Sequence, residues 1–167
     1  MVTSRINKQE KGQSLVEFSM SVVFIMTLLV GVADLGRAFF TFLSIRDAAQ
    51  EGAVYGAVCP WNVSKIENRI RTTSVTPVDM SDASHVSIAC EYEYRDQYGN
   101  LQTASCGTSV PNVYPKAGQA IKLRVTFDNF TVTTPLAGSL LGQTLTLRAE
   151  VIDTILRVPS VNDPSCQ

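Results

Sequence analysis

From Phe18 to Ala33 the chain carries no charged residue, and this run limits the possible folds more than any other feature. Its sixteen residues reach about 24 Å as a helix, at about 1.5 Å per residue. Adding Gln13 to Glu17 brings the segment to the roughly 30 Å of a bilayer's hydrocarbon core. The expectation is a membrane-spanning segment, or a signal that looks like one. Arg5, Lys8 and Lys11, with a single Glu10, precede it, and the positive-inside bias holds that end in the cytoplasm and sends the remainder outward. Glu17, near the start of the run, is the anomaly. A carboxylate costs about 2.5–3.5 kcal/mol at a bilayer centre on insertion scales, and far less at the interface. It is tolerable with a partner or in the headgroup zone.

The four cysteines, Cys59, Cys90, Cys106 and Cys166, all follow the apolar run. An oxidising compartment outside the membrane would let them pair. At 167 residues the chain has room for one domain plus an anchor. Its 14 basic and 15 acidic residues leave a net charge of -1, with none of the basic face that nucleic acid requires.

The helical pattern continues past the apolar run. Asp34 and Arg37 are three apart and so share a helix face. Phe39, Phe42, Ile45, Ala49, Gly52 or Ala53, and Gly56 then recur at steps of three and four. One helix from about Ser14 to Val58 is predicted, ended by Pro60. That is more than twice what a bilayer needs, so the outer half must pack on something. Its stripe of small residues admits either a sheet or another helix.

Beyond Cys59 the pattern is that of a small mixed domain. Asn62 to Arg71 reads as a short helix capped by Asn62 or Ser64, with Ile66 and Ile70 on one side. Three segments alternate with period two: Val86 to Tyr94, Ile121 to Phe127, and Leu145 to Val151. Asp96 to Asn100 (DQYGN) has the composition of a hairpin turn, with Leu101 to Cys106 as the return strand. Reflection about Tyr98 and Gly99 sets Cys90 nearly opposite Cys106. Of three possible connectivities, Cys90 with Cys106 and Cys59 with Cys166 is the most economical. Pro135 to Gly142 forms an apolar loop before the last strand. The expected class is α+β: a long N-terminal helix, half transmembrane and half amphipathic, packed on a small antiparallel sheet. The divisions are residues 1–12 as basic leader, 13–36 as transmembrane or filament-core helix, 37–58 as the outer half of the same helix, and 59–167 as the exported domain.

No enzyme chemistry emerges. His85 is the one histidine, without the partners of a metal or acid–base site. GSLLGQT at Gly138 to Thr144 has the glycines of a phosphate loop but lacks its lysine. Asp79 and Asp82 are two carboxylates without the further ligands that calcium wants. Asn62, Val63 and Ser64 match a glycosylation acceptor and are read as a chance match. No cofactor or metal is expected.

A short basic leader ending in Gly12, then Gln13, then Glu17 as the fifth residue after that glycine, with an apolar helix beginning at once, resembles a type IV pilin precursor. More specifically, Gly12 to Phe18 (GQSLVEF), Gly31, Asp34, Gly36 and Arg37, and Ala48 to Ala53 (AAQEGA) resemble the TadE-like family, pilin-like proteins of tight-adherence pilus systems. The resemblance resumes over Arg124 to Ile152. It implies cleavage between Gly12 and Gln13 by a prepilin peptidase, insertion in the inner membrane with the domain outside, and assembly with other pilin subunits by pilus machinery into a filament at the cell surface. It assigns Glu17 and Phe18 to subunit contact, the carboxylate meeting the terminal amine of a neighbour. Such a pair lowers the cost of carrying both charges into a low-dielectric bundle.

Two other readings remain at this stage. One is a single-pass anchor whose outer domain binds a ligand without entering a filament. The other is secretion after a cut behind Gly31-Val32-Ala33, which would discard Glu17.

Overall fold

The computed structural model describes residues 10–107, 115–134, 142–159 and 163–166. Helix α1 runs without a break over Glu10–Val58, and so already contains the predicted start at Ser14. It ends where Pro60 removes a backbone donor and disfavours helical geometry at Cys59. Helix α2, Val63–Arg71, starts at Asn62, whose side-chain oxygen accepts from the Lys65 amide at 3.1 Å. Of the two residues that could have capped it, Asn62 does so. Its side-chain nitrogen also donates to the Cys166 carbonyl at 2.5 Å, so both ends of this amide are engaged.

Four strands follow: β1 (Val86–Arg95), β2 (Leu101–Ser105), β3 (Ala120–Thr131) and β4 (Thr144–Thr154). They form one antiparallel sheet in the order β2-β1-β3-β4. The β1–β2 turn is held by Asp96, whose carboxylate accepts the Tyr98 and Asn100 amides at 2.9 Å each. Gly99 supplies the positive φ of 82° that the turn needs. This pairing brings the Cys106 amide to the Cys90 carbonyl at 2.9 Å. The structure joins Cys90 to Cys106 and Cys59 to Cys166, with Cα separations of 5.3 and 5.7 Å.

The core lies between the sheet and the outer half of α1. Ile45, Ala48, Ala49 and Ala53 are fully buried against Ile121, Leu123 and Val125 of β3, and Ile66 and Ile70 of α2 complete the cluster. Full burial of a side chain such as Ile45 contributes about 1.5–3 kcal/mol. The small residues have a specific cause. A Cβ at Gly52 would sit 2.5 Å from Ile70 Cγ1 and 3.1 Å from Leu123 Cδ1, and one at Gly56 would sit 2.7 Å from Ile121 Cδ1. Both options that the stripe left open are thus realised within the chain itself, since it meets the sheet and α2 at once.

Strand β3 runs past the predicted Phe127 because of a bulge between Phe127 and Phe130. The extra residue reverses the alternation and returns Phe130, 5% exposed, to the inner face. Asp128, within the bulge, faces His85 at 3.1 Å on the surface. Asp79 and Asp82 each accept from the amide and hydroxyl of the serine two residues on, which closes local turns. Among the described residues no group of three or more His, Cys, Asp or Glu could hold a metal ion. The loop Pro135 to Gly142 lies outside the described residues apart from Gly142, as does the leader up to residue 9.

Candidate assembly helix and its clasp to the domain

Among the described residues the first half of α1 has no cover. Its apolar window is 0% buried within the protein, and the helix is long and apolar enough to cross a membrane. Leu15, Phe18, Met20, Phe24 and Leu28 are all more than half exposed. At about 25 cal/mol per Å² of apolar surface, such a face demands either lipid or other protein.

Glu17 lies on this bare half, one turn after Gln13. Its carboxylate has no ion-pair or hydrogen-bond partner among the described residues; only its backbone carbonyl is used, by Ser21 Oγ at 2.9 Å. Phe18 beside it is 70% exposed, and nothing lies within 4 Å of where a Cβ on Gly12 would be. Among the described residues this end therefore offers open space beside Gly12, a carboxylate without a partner and an exposed aromatic ring.

The transition to the covered half falls at Asp34. Asp34 is 8% exposed and is the first buried residue of the helix. Its Oδ2 accepts the amides of Thr133 and Thr134 at 2.9 and 2.7 Å, and also the Thr134 hydroxyl. Arg37 Nη1 bridges Asp34 Oδ1 at 3.4 Å and Thr133 Oγ1 at 2.7 Å, and its guanidinium lies 5.7 Å from the centre of the Phe130 ring. The expected helix pair of Asp34 and Arg37 exists, but its larger task is to bind the end of β3 to the helix. Hydrogen bonds to a charged group are worth about 1.5–3 kcal/mol. A second clasp sits at the far end of α1, where the Ala57 carbonyl accepts the Leu156 amide at 2.8 Å and the Cys59–Cys166 bond staples the C-terminus. The domain is thus fixed to residues 34–58 of the helix and to Cys59 just beyond it, and residues 12–33 project from it.

Thr133, Thr134 and Phe130 were missed by sequence reasoning. Threonines follow strands commonly, and contacts about 100 positions away from Asp34 leave no periodic trace. The one available signal was Asp34 itself, a carboxylate too close to an apolar run to be without a partner.

These features define a class: an α+β domain whose central helix extends bare beyond it as a membrane-length rod. A family model described as TadE-like protein matches residues 12–54, beginning at Gly12 and ending inside the buried half of α1. The second stretch of resemblance, Arg124 to Ile152, lies outside that match. No curated protein and no solved structure matches the chain.

Proposed function

We propose that this protein is a non-enzymatic, pilin-like subunit of a tight-adherence pilus, inserted with its N-terminus in the cytoplasm, cleaved between Gly12 and Gln13, and incorporated through its bare helix. The observation that carries the reading is the coincidence of the family match, which starts at Gly12, with a helix whose matched first half is uncovered and bears an unpaired Glu17. In the membrane, lipid covers that half. In a filament, the same halves of neighbouring subunits replace lipid, and Glu17 meets the amine that cleavage creates at Gln13 of another copy. The domain beyond Asp34 stays outside the bundle.

The test is the Glu17→Ala variant expressed in the native cell. Removing a charge from the segment eases insertion, so membrane levels should match the wild type while the amount recovered in sheared pili falls. Equal recovery in pili would overturn the subunit role of the carboxylate. Absence of both forms from sheared pili, with normal membrane levels, would favour an anchored binding domain.

A further inference from the structure

The sheet ends at β2 on one side and at β4 on the other, and beyond these two edges it pairs with no described strand. Strand β4 is 11 residues long and holds no proline, and Leu101, Gln102 and Thr103 of β2 are exposed. Open edges of this kind are templates for another chain. The fold fixes the direction of each. Thr133 and Thr134, beyond the end of β3, bond Asp34, whereas Leu156, beyond the end of β4, bonds Ala57. Strand β3 therefore runs toward the bare half of α1 and β4 away from it. By the antiparallel order, β1 runs away from it and β2 toward it. Two copies whose bare helices point the same way thus bring β4 of one and β2 of the next together as antiparallel neighbours. An antiparallel pair of two β4 strands would point the bare helices in opposite directions. A parallel pair would turn one sheet over and set Arg148 and Glu150 in line with the apolar face of the other copy.

The hydrogen-bonding groups and side chains of the two edges also match. The Ile155 amide donates to the Gln119 carbonyl at 2.8 Å, and the Cys106 amide to the Cys90 carbonyl at 2.9 Å. Carried along the two registers, this alternation turns the odd positions of β4 and the even positions of β2 toward their own sheet. The backbone groups of Glu150 and Ile152, and of Leu101 and Thr103, point outward from it. The side chains of these four residues share the sheet's outer face, so the pleat continues across a junction between them. Ile152 and Leu101 are each 58% exposed, and setting one opposite the other places Glu150 opposite Thr103. The outer face is oppositely charged at its two sides. On β3 and β4, Lys122, Arg124 and Arg148 outnumber Glu150, and on β1, beside β2, Glu91 and Glu93 outnumber Arg95. Joining β4 to β2 brings the positive side of one copy to the negative side of the next.

We propose that β4 of one copy pairs antiparallel with β2 of the next, with Ile152 opposite Leu101, so that the exported domains share one continuous sheet. Through Glu91 and Lys122, Ser105 of a copy stands level with its own Ile152, and Leu101 lies four residues beyond Ser105. The junction therefore staggers successive copies by about 13 Å, at about 3.3 Å per strand residue. A head-to-tail contact with such a step does not close on itself and continues as a helical array. The inference rests on the filament-subunit reading and names the contact between its domains.

The experiment is oxidative cross-linking of the full chain carrying both Leu101→Cys and Ile152→Cys, in sheared pili from the native cell and, separately, as protein purified in detergent. Opposed residues of a hydrogen-bonded pair lie about 5.5 Å apart between Cα atoms, within the span of a disulfide. A non-reducing ladder of dimers, trimers and larger species is expected, its linked peptides joining position 101 to position 152, with monomers alone from either single variant. Thr103→Pro in the same background removes one outward amide and leaves the pairing with β1 in place. It should reduce the ladder about tenfold, the loss of one backbone hydrogen bond, while the two native bridges still form. Monomers alone in pili that contain the chain would overturn the proposal, as would a ladder undiminished by Thr103→Pro. Dimers from Ile152→Cys alone would overturn it in favour of two β4 strands in contact. A chain absent from sheared pili would instead refute the subunit reading, and the detergent sample then decides the pairing by itself, a ladder upholding it and monomers overturning it.

Discussion

Between Gln13 and Ala33 the apolar side chains of α1 are left uncovered by the described residues, whereas between Ile45 and Ala57 the same helix supplies the centre of the core. Composition alone distinguishes the halves poorly, since both are rich in apolar residues. The difference lies in size and in what lies opposite. Large side chains point outward all round the bare half, as lipid or a bundle requires, and the covered half is trimmed to alanine and glycine so that a sheet and α2 can approach. Gly31 and Gly36 have open space where a Cβ would go, while Gly52 and Gly56 do not.

Substitutions that act on only one half would sharpen this contrast. The largest effect on the domain should come from its covalent staple. Replacing Cys59 and Cys166 together by alanine opens a loop of sequence separation 107 and should cost about 4–5 kcal/mol on chain-entropy grounds. Replacing Cys90 and Cys106, separated by 16, should cost about 3 kcal/mol. Urea unfolding of the detergent-solubilised chain, followed by near-ultraviolet circular dichroism, measures both. A reversed order would mean that the far end of α1 is held by packing instead.

A direct comparison of the halves comes next. Ile45→Ala empties a fully buried site and should cost about 2–5 kcal/mol. Leu28→Ala, at a residue 54% exposed, should leave the domain's unfolding midpoint unchanged. Equal losses would break the division of α1 into two regimes. Gly52→Val should then cost about 1–3 kcal/mol by overpacking against Ile70, and Gly36→Val should cost the domain nothing in the same assay.

These expectations show what was legible in the sequence. The helix, the three alternating strands and the hairpin followed from period and turn residues, because each is specified by neighbours in the chain. The cysteine pairing could be reached because the hairpin places Cys90 and Cys106 across from each other. The Asp34 clasp and the Phe130 bulge were not legible. Each depends on where β3 ends relative to a helix far away in sequence, and a one-residue bulge inverts the inside–outside pattern on which strand reading relies. Glu17 was visible only as an anomaly of composition, and among the described residues its carboxylate has no partner.

The smallest expected effect is electrostatic and confined to the domain's outer sheet face. Arg124 donates to Glu150 Oε2 at 2.8 and 3.0 Å. That hydrogen bond, with the nearby charges of Lys122, Arg124 and Arg148, holds the Glu150 carboxyl below its ordinary value despite some desolvation. A carboxylate whose folded pKa lies below its unfolded one favours the folded state above the unfolded value, and the advantage fades as pH falls through the folded value. The urea midpoint should therefore decline on acidification below about pH 5, and slightly less steeply in Glu150→Gln. A steeper decline in the variant would refute this assignment.

The central claim, that the bare half of α1 is kept in the mature protein as its assembly element, is tested most directly by the mass of the chain isolated from the native cell. The account predicts a first residue of Gln13, and a Gly12→Leu variant that remains uncut. A chain starting at Met1 would contradict the processing and favour a simple anchor. A chain starting at Asp34 would contradict the claim altogether, because the whole uncovered half, Glu17 included, would have been discarded as a signal.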